Sequence, residues 1–176
     1  MTSYGLFAGI LDYPGHSIRD VTEQCAAELT EAPQARWHLL EFQRAVEAKS
    51  LAEFQEIYTS AFDLRTDCTP NLGYHLFGDD ARRGVFLAEL KTRMEACGLD
   101  LGTEIPDHWS LILKYLEKAP EERAPIIEDC LLPALPRIIE VLQNTKNPYE
   151  HALRALVGLL EHQREMMVAG AEVMDA

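Results

Sequence analysis

The chain has 176 residues, 47% of them hydrophobic, a size and composition that fit one globular domain with a core that needs no metal or disulfide staple. Its 16 basic residues stand against 29 acidic ones, a net charge of −13. That balance excludes a general binder of DNA, RNA or anionic lipid and favours basic partners. Cys25, Cys68, Cys97 and Cys130 form no CxxC pair, so buried free thiols in a reducing compartment are expected. No cation precedes Arg19, which leaves the apolar stretch Tyr4–Leu11 without the positive flank of a secretory signal. No run reaches the roughly 18 apolar residues of a membrane span. A cytoplasmic, soluble chain is the expectation.

The helical period recurs along nearly the whole length and no alternating period does. After the apolar stretch, Ser17 is placed to cap a helix to about Thr30, with Ile18, Val21, Cys25 and Leu29 on one face. A second helix covers Gln34–Ala48, beyond Pro33. Ser50-Leu-Ala-Glu53 reads as a capping box opening a helix through Phe62. A break at Asp67–Pro70 precedes a short helix, Asn71–Phe77. Asp79 or Asp80 starts the next, with Val85, Phe86, Leu90 and Met94 facing inward as far as Gly98. Gly84 within it predicts a close backbone neighbour.

Residues Gly98–Pro106 form the clearest linker, a possible hinge within a single domain spanning 1–176. Asp107 is expected to start and cap a helix bearing Trp109, Ile112, Leu113 and Leu116. Pro120–Leu132 makes another, and Pro133 and Pro136 force a kink or restart. Asn147-Pro148 opens the last helix, with Leu153, Leu156, Val157 and Leu160 on its core face and a polar, acidic end from Glu161. The fold class is all-α, a single-domain helical bundle of about eight to ten helices.

Several chemistries are excluded by spacing. No glutamate has a histidine three residues on, as a di-iron bundle requires, and GxSxG, GxxxxGK[ST] and GxGxxG are all absent. Neither a cofactor nor a bound metal is expected. Two polar stretches remain as candidate sites. The first joins Phe62-Asp63-Leu64-Arg65 to Tyr74-His75-Leu76-Phe77-Gly78-Asp79-Asp80-Ala81-Arg82-Arg83-Gly84. The second is Glu104-Ile105-Pro106-Asp107-His108-Trp109, where carboxylate, imidazole and indole meet at a helix mouth. Capping and solvated charge explain each stretch on structural grounds, with Asp107 as a cap the favoured reading of the second. A small helical enzyme or nucleotide-binding protein using the Glu104–His108 and Asp79–Arg83 clusters is one functional alternative, and a helical scaffold is another.

At these residues the sequence resembles the nitrate reductase delta-subunit (NarJ-type) assembly chaperones, within the wider TorD/DmsD family of molybdoenzyme maturation proteins. The resemblance rests on an ordered set: Leu11-Asp12-Tyr13-Pro14, Phe62-Asp63, Leu76-Phe77-Gly78-Asp79 with Arg82-Arg83-Gly84, Glu104-x-Pro106-Asp107-His108, and Asn147-Pro148-Tyr149. It implies an all-helical non-enzyme that binds the N-terminal segment of a molybdenum-containing catalytic subunit and supports cofactor insertion. The client would be nitrate reductase or another enzyme of that superfamily, and the chaperone a monomer or a helix-swapped dimer. The implied contact residues are Asp63, Tyr74, His75, Asp79, Arg82, Arg83, Glu104, Asp107 and His108, with Trp109 beside them. The expected groove has an apolar floor of Phe62, Tyr74, Phe77 and Trp109 and an acidic rim of Asp63, Glu104 and Asp107.

Overall fold

Helix α1 (Ser3–Ile10) is apolar on almost every face, and a helix of that kind has to lie inside. In the computed structural model, which describes residues 2–174 and their side chains as far as Met166, Leu6, Phe7, Ala8 and Ile10 have no solvent access. Around α1 pack α2 (Ile18–Glu28) and α7 (Trp109–Lys118). Helix α3 (Pro33–Glu47) lies along α10 (Tyr149–Met174), where a Cβ on Gly158 would stand 3.3 Å from the backbone of Ala35. The end of the chain assigned a polar character reaches beyond the described side chains.

The Ser50–Glu53 capping box is present and starts α4 (Leu51–Tyr58), each residue's side chain accepting from the other's backbone amide. The helix continues as a π-helical turn, Thr59–Asp63, which widens it just before the break. Then follow α5 (Leu72–Phe77) and α6 (Arg82–Ala96). Beyond the 98–106 segment and α7 come α8 (Arg123–Ile126), a second π-helical turn at Ile127–Leu131, and α9 (Leu132–Asn144). The widened turn stands immediately before Pro133, so the restart expected there takes this form, and α9 runs on through Pro136. No strand occurs among the described residues, and the only β-type pairing given there is an isolated bridge between Asn71 and His108. Buried residues from the helices before and after 98–106 belong to one hydrophobic cluster.

Four local expectations are corrected. Ser17 sits at the N-cap of α2 but its hydroxyl makes no capping bond. Val85 is 61% exposed, because the inward face of α6 runs through Phe86, Leu90 and Met94 alone. Nothing lies within 4 Å of a Cβ built on Gly84, whereas one on Gly73 would be 2.7 Å from Asp107 Oδ2. Cys25, Cys68 and Cys130 are buried free thiols, but Cys97 is only half-buried.

Candidate partner-binding site

Asp107 has no solvent exposure, and it does not cap its own helix. That position belongs to His108, whose Nδ1 accepts from the Ser110 amide at 3.3 Å. The Asp107 carboxylate instead crosses to the neighbouring elements. It accepts from the Gly73 amide at 3.1 Å, from Asn71 Nδ2 at 2.9 Å, and from Arg83 Nη2 at 3.1 Å and Nε at 3.3 Å. The backbone closes the same seam: the Leu72 amide donates to Asp107 O at 2.9 Å, and the Trp109 amide to Pro70 O at 3.0 Å. One buried carboxylate thus caps α5, anchors α6 and fixes the start of α7. With four donors its charge is compensated, the condition under which a buried charge is tolerated.

The remaining predicted residues divide by depth. Arg83 lies over the Tyr74 ring at 5.9 Å, and exposed Arg82 over Phe77 at 5.8 Å while pairing with Asp80 at 3.1 Å. His75 bonds through Nε2 to Thr69 O at 2.8 Å. Burial pushes both His75 and His108 below the ordinary histidine value, so the His108 ring is held neutral, with Nδ1 committed to its cap. Asp79 is exposed in the turn before α6. Two members of the expected groove floor are corrected. Trp109 is fully buried, and Phe62 packs against it at 4.9 Å between ring centres and against Tyr149 at 5.1 Å. They belong to the core, as the edge-to-face geometry of large aromatics favours. Asp107 likewise leaves the expected rim for the interior.

A different surface gathers round Tyr58. Burial first, and then the carboxylates of Asp12, Asp63 and Glu104, push its phenol well above the ordinary tyrosine value. Each of these acids is followed in the chain by an exposed apolar residue: Tyr13, Leu64 (76% exposed) and Ile105. The Tyr13 ring stands edge-on to Tyr58 at 5.5 Å. Behind this face, the Leu11 carbonyl accepts from Trp109 Nε1 at 2.7 Å and from the Tyr58 hydroxyl at 3.4 Å. Three separate segments thus bring a carboxylate to bear on Tyr58, and each carboxylate is followed by an exposed apolar residue. Asp63 and Glu104 were expected as contacts; Leu64 and Ile105 lay inside the two candidate stretches, and Asp12-Tyr13 inside the family motif, without a role assigned to any of the four. Among the described residues no three His, Cys, Asp or Glu side chains are placed to hold a metal, and no helix is long and apolar enough to cross a membrane.

With this geometry in place, the family can be settled. The sequence model described as nitrate reductase delta subunit matches residues 26–162. This chain belongs to that family. Among curated proteins, this chain is 27% identical over 146 residues to the nitrate reductase molybdenum cofactor assembly chaperone NarJ of Escherichia coli (strain K12), covering 80% of this chain and 61% of that protein. The chain thus spans less than two thirds of that relative's length. It is also 25% identical over 163 residues to the "Probable nitrate reductase molybdenum cofactor assembly chaperone NarJ" of Bacillus subtilis (strain 168), covering 91% of this chain and 89% of that one. The relatives are named chaperones, not enzymes.

Proposed function

We propose that this delta-subunit chain is a cytoplasmic, client-specific chaperone for a molybdenum-containing oxidoreductase of the nitrate reductase type, and that it binds the N-terminal segment of the catalytic subunit while the molybdenum cofactor is inserted. The observation that carries this reading is the face around Tyr58, where Asp12, Asp63 and Glu104 alternate with exposed Tyr13, Leu64 and Ile105. A segment that sets basic residues beside an apolar stretch complements it in both respects. Asp107, His108 and Trp109 serve as the frame behind this face, and Tyr74, His75, Asp79, Arg82 and Arg83, carried on α5, α6 and the turn between them, are proposed as further contacts. The relatives' printed names support the client class.

The test is calorimetric and kinetic titration with the N-terminal peptide of a nitrate reductase catalytic subunit from the same organism. Asp63→Asn with Glu104→Gln should slow association, and Leu64→Ser with Ile105→Ser should speed dissociation, each by about tenfold. A peptide that fails to bind, or binds both variants as it binds the native chain, overturns the reading.

A further inference from the structure

Two histidines from different helices face each other through the same ring atom. His38 on α3 and His151 on α10 are 113 residues apart in the chain, and their Nδ1 atoms approach to 3.3 Å. The ring centres stand 5.6 Å apart with planes 32° from parallel. Both residues are half-buried, so an ion from solvent can reach the pair. The exposed Trp37 ring lies edge-on to each of them, 4.8 Å from His38 and 6.2 Å from His151 between centres. Beneath the pair, α3 and α10 are fixed by their close approach at Ala35 and Gly158. The two rings are held in place before any ligand arrives.

The separation discriminates between two readings. Hydrogen bonds from N–H donors ordinarily span about 2.7–3.2 Å, so 3.3 Å is long for one. Two imidazole nitrogens, each about 2.0–2.1 Å from a tetrahedral ion, stand about 3.3–3.4 Å apart, which is the spacing found. A hydrogen bond also needs one ring protonated at Nδ1 and the other not, whereas a metal takes both Nδ1 lone pairs with each proton on Nε2. The charges nearby suit neutral rings. Burial first, then His151 and Arg154, hold His38 below the ordinary histidine value, against the opposing pull of Glu150 and Glu41. Metal ligation requires that neutral form. Arg154, the cation that would repel an ion, is engaged by Glu150 at 2.9 Å and Gln143 at 3.1 Å, and Glu41 is paired with Arg44.

We propose that His38 and His151 bind one divalent ion of the zinc class between their Nδ1 atoms, clipping α3 to α10, with the remaining tetrahedral positions left to water. Hard ions such as Mg²⁺ prefer oxygen ligands and are refused. Among the described residues no third His, Cys, Asp or Glu is placed to complete the set, so the ion is exchangeable and not a requirement for folding. The site rests on no part of the client-binding reading and stands or falls independently of it.

Titration of the full chain with Zn²⁺ tests the assignment, with Mg²⁺ as the control and histidine ring NMR signals and thermal melting followed alongside. One equivalent of Zn²⁺ should bind, and the ring signals of His38 and His151 should shift together while those of exposed His16 stay in place. His38→Gln and His151→Gln should each weaken Zn²⁺ binding by at least about tenfold, whereas His16→Gln and Cys97→Ser should leave it unchanged. If the His38 and His151 ring signals of the native chain do not move up to about 1 mM Zn²⁺, the proposal is overturned, whether or not the variants fold. Zn²⁺ affinity that survives both histidine substitutions, or that disappears with Cys97→Ser, puts the ion elsewhere and also overturns it. An equal response to Mg²⁺ does the same.

Discussion

The Asp107 carboxylate holds the Arg83 guanidinium at 3.1 Å from a position with no solvent access, while the Arg83 side chain keeps 26% of its own. The pair is therefore asymmetric: Arg83 can turn to water if released, whereas the buried Gly73 amide has no such exit and Asn71 Nδ2 loses its partner from a half-buried position. Asp107→Ala should cost about 3 kcal/mol, chiefly through those orphaned donors. Gly73→Ala should cost about 2 kcal/mol by forcing a methyl against the same carboxylate, and the two losses should not add. Urea unfolding of the single and double variants measures this. A double-variant loss equal to the sum of the two would contradict a shared seam.

Burial holds His38, His75 and His108 below the histidine value of the unfolded chain. The unfolded state then binds more protons in the window just below about pH 6.5, so stability is fully present above that value and falls as pH drops. His108→Asn keeps a residue that caps well and removes one titrating ring. Its unfolding free energy should change less between about pH 7.5 and about pH 5.5 than that of the native chain. An identical or steeper pH dependence counts against a neutral, buried His108.

Two helical glycines should respond to alanine in opposite directions. Gly84 faces open space, so Gly84→Ala should stabilise by roughly 0.5–1 kcal/mol through helix propensity alone. A Cβ on Gly158 would stand 3.3 Å from the Ala35 backbone, and Gly158→Ala should lose about 1 kcal/mol net as the α3–α10 contact is forced apart. Melting curves of both variants decide the matter, and stabilisation at Gly158 is the result that would be wrong for this packing.

Salt should separate the two components of client binding. Raising it from about 0.05 M to about 0.5 M shortens the Debye length from roughly 14 Å to about 4 Å, which removes most of the attraction from Asp12, Asp63 and Glu104. Contact with Tyr13, Leu64 and Ile105 is not screened, so the peptide should bind more weakly without being lost. Affinity indifferent to salt excludes the acidic component, and complete loss excludes the apolar one.

The helices were legible because their signals are local. The Ser50–Glu53 box, the 3.6-residue stripe of α7 and Pro133 in the first turn of α9 act within one or two turns, and each is found where its spacing places it. The site was legible in composition and not in depth. Pro106-Asp107-His108 reads as a cap on its own helix, and only the crossing to Gly73, 34 residues earlier, takes the carboxylate inside. Phe62 and Trp109 look like groove residues because aromatics serve cores and interfaces equally well, and only folding brings Phe62 between Trp109 and Tyr149 of the last helix. The acid–hydrophobe face escaped notice for the same reason: its three dipeptides lie far apart in the chain and meet only after folding.

The double grip on the Leu11 carbonyl bears on how a client would be met. Asp12 and Tyr13 leave the end of α1 from a point held by the indole of α7 and the phenol of α4, two elements already locked into the core. The loop has little freedom left to surrender, so the ordering entropy of docking falls almost wholly on the incoming segment. Recognition would then proceed at the pace of diffusion and client folding, against a template that is in shape before the encounter.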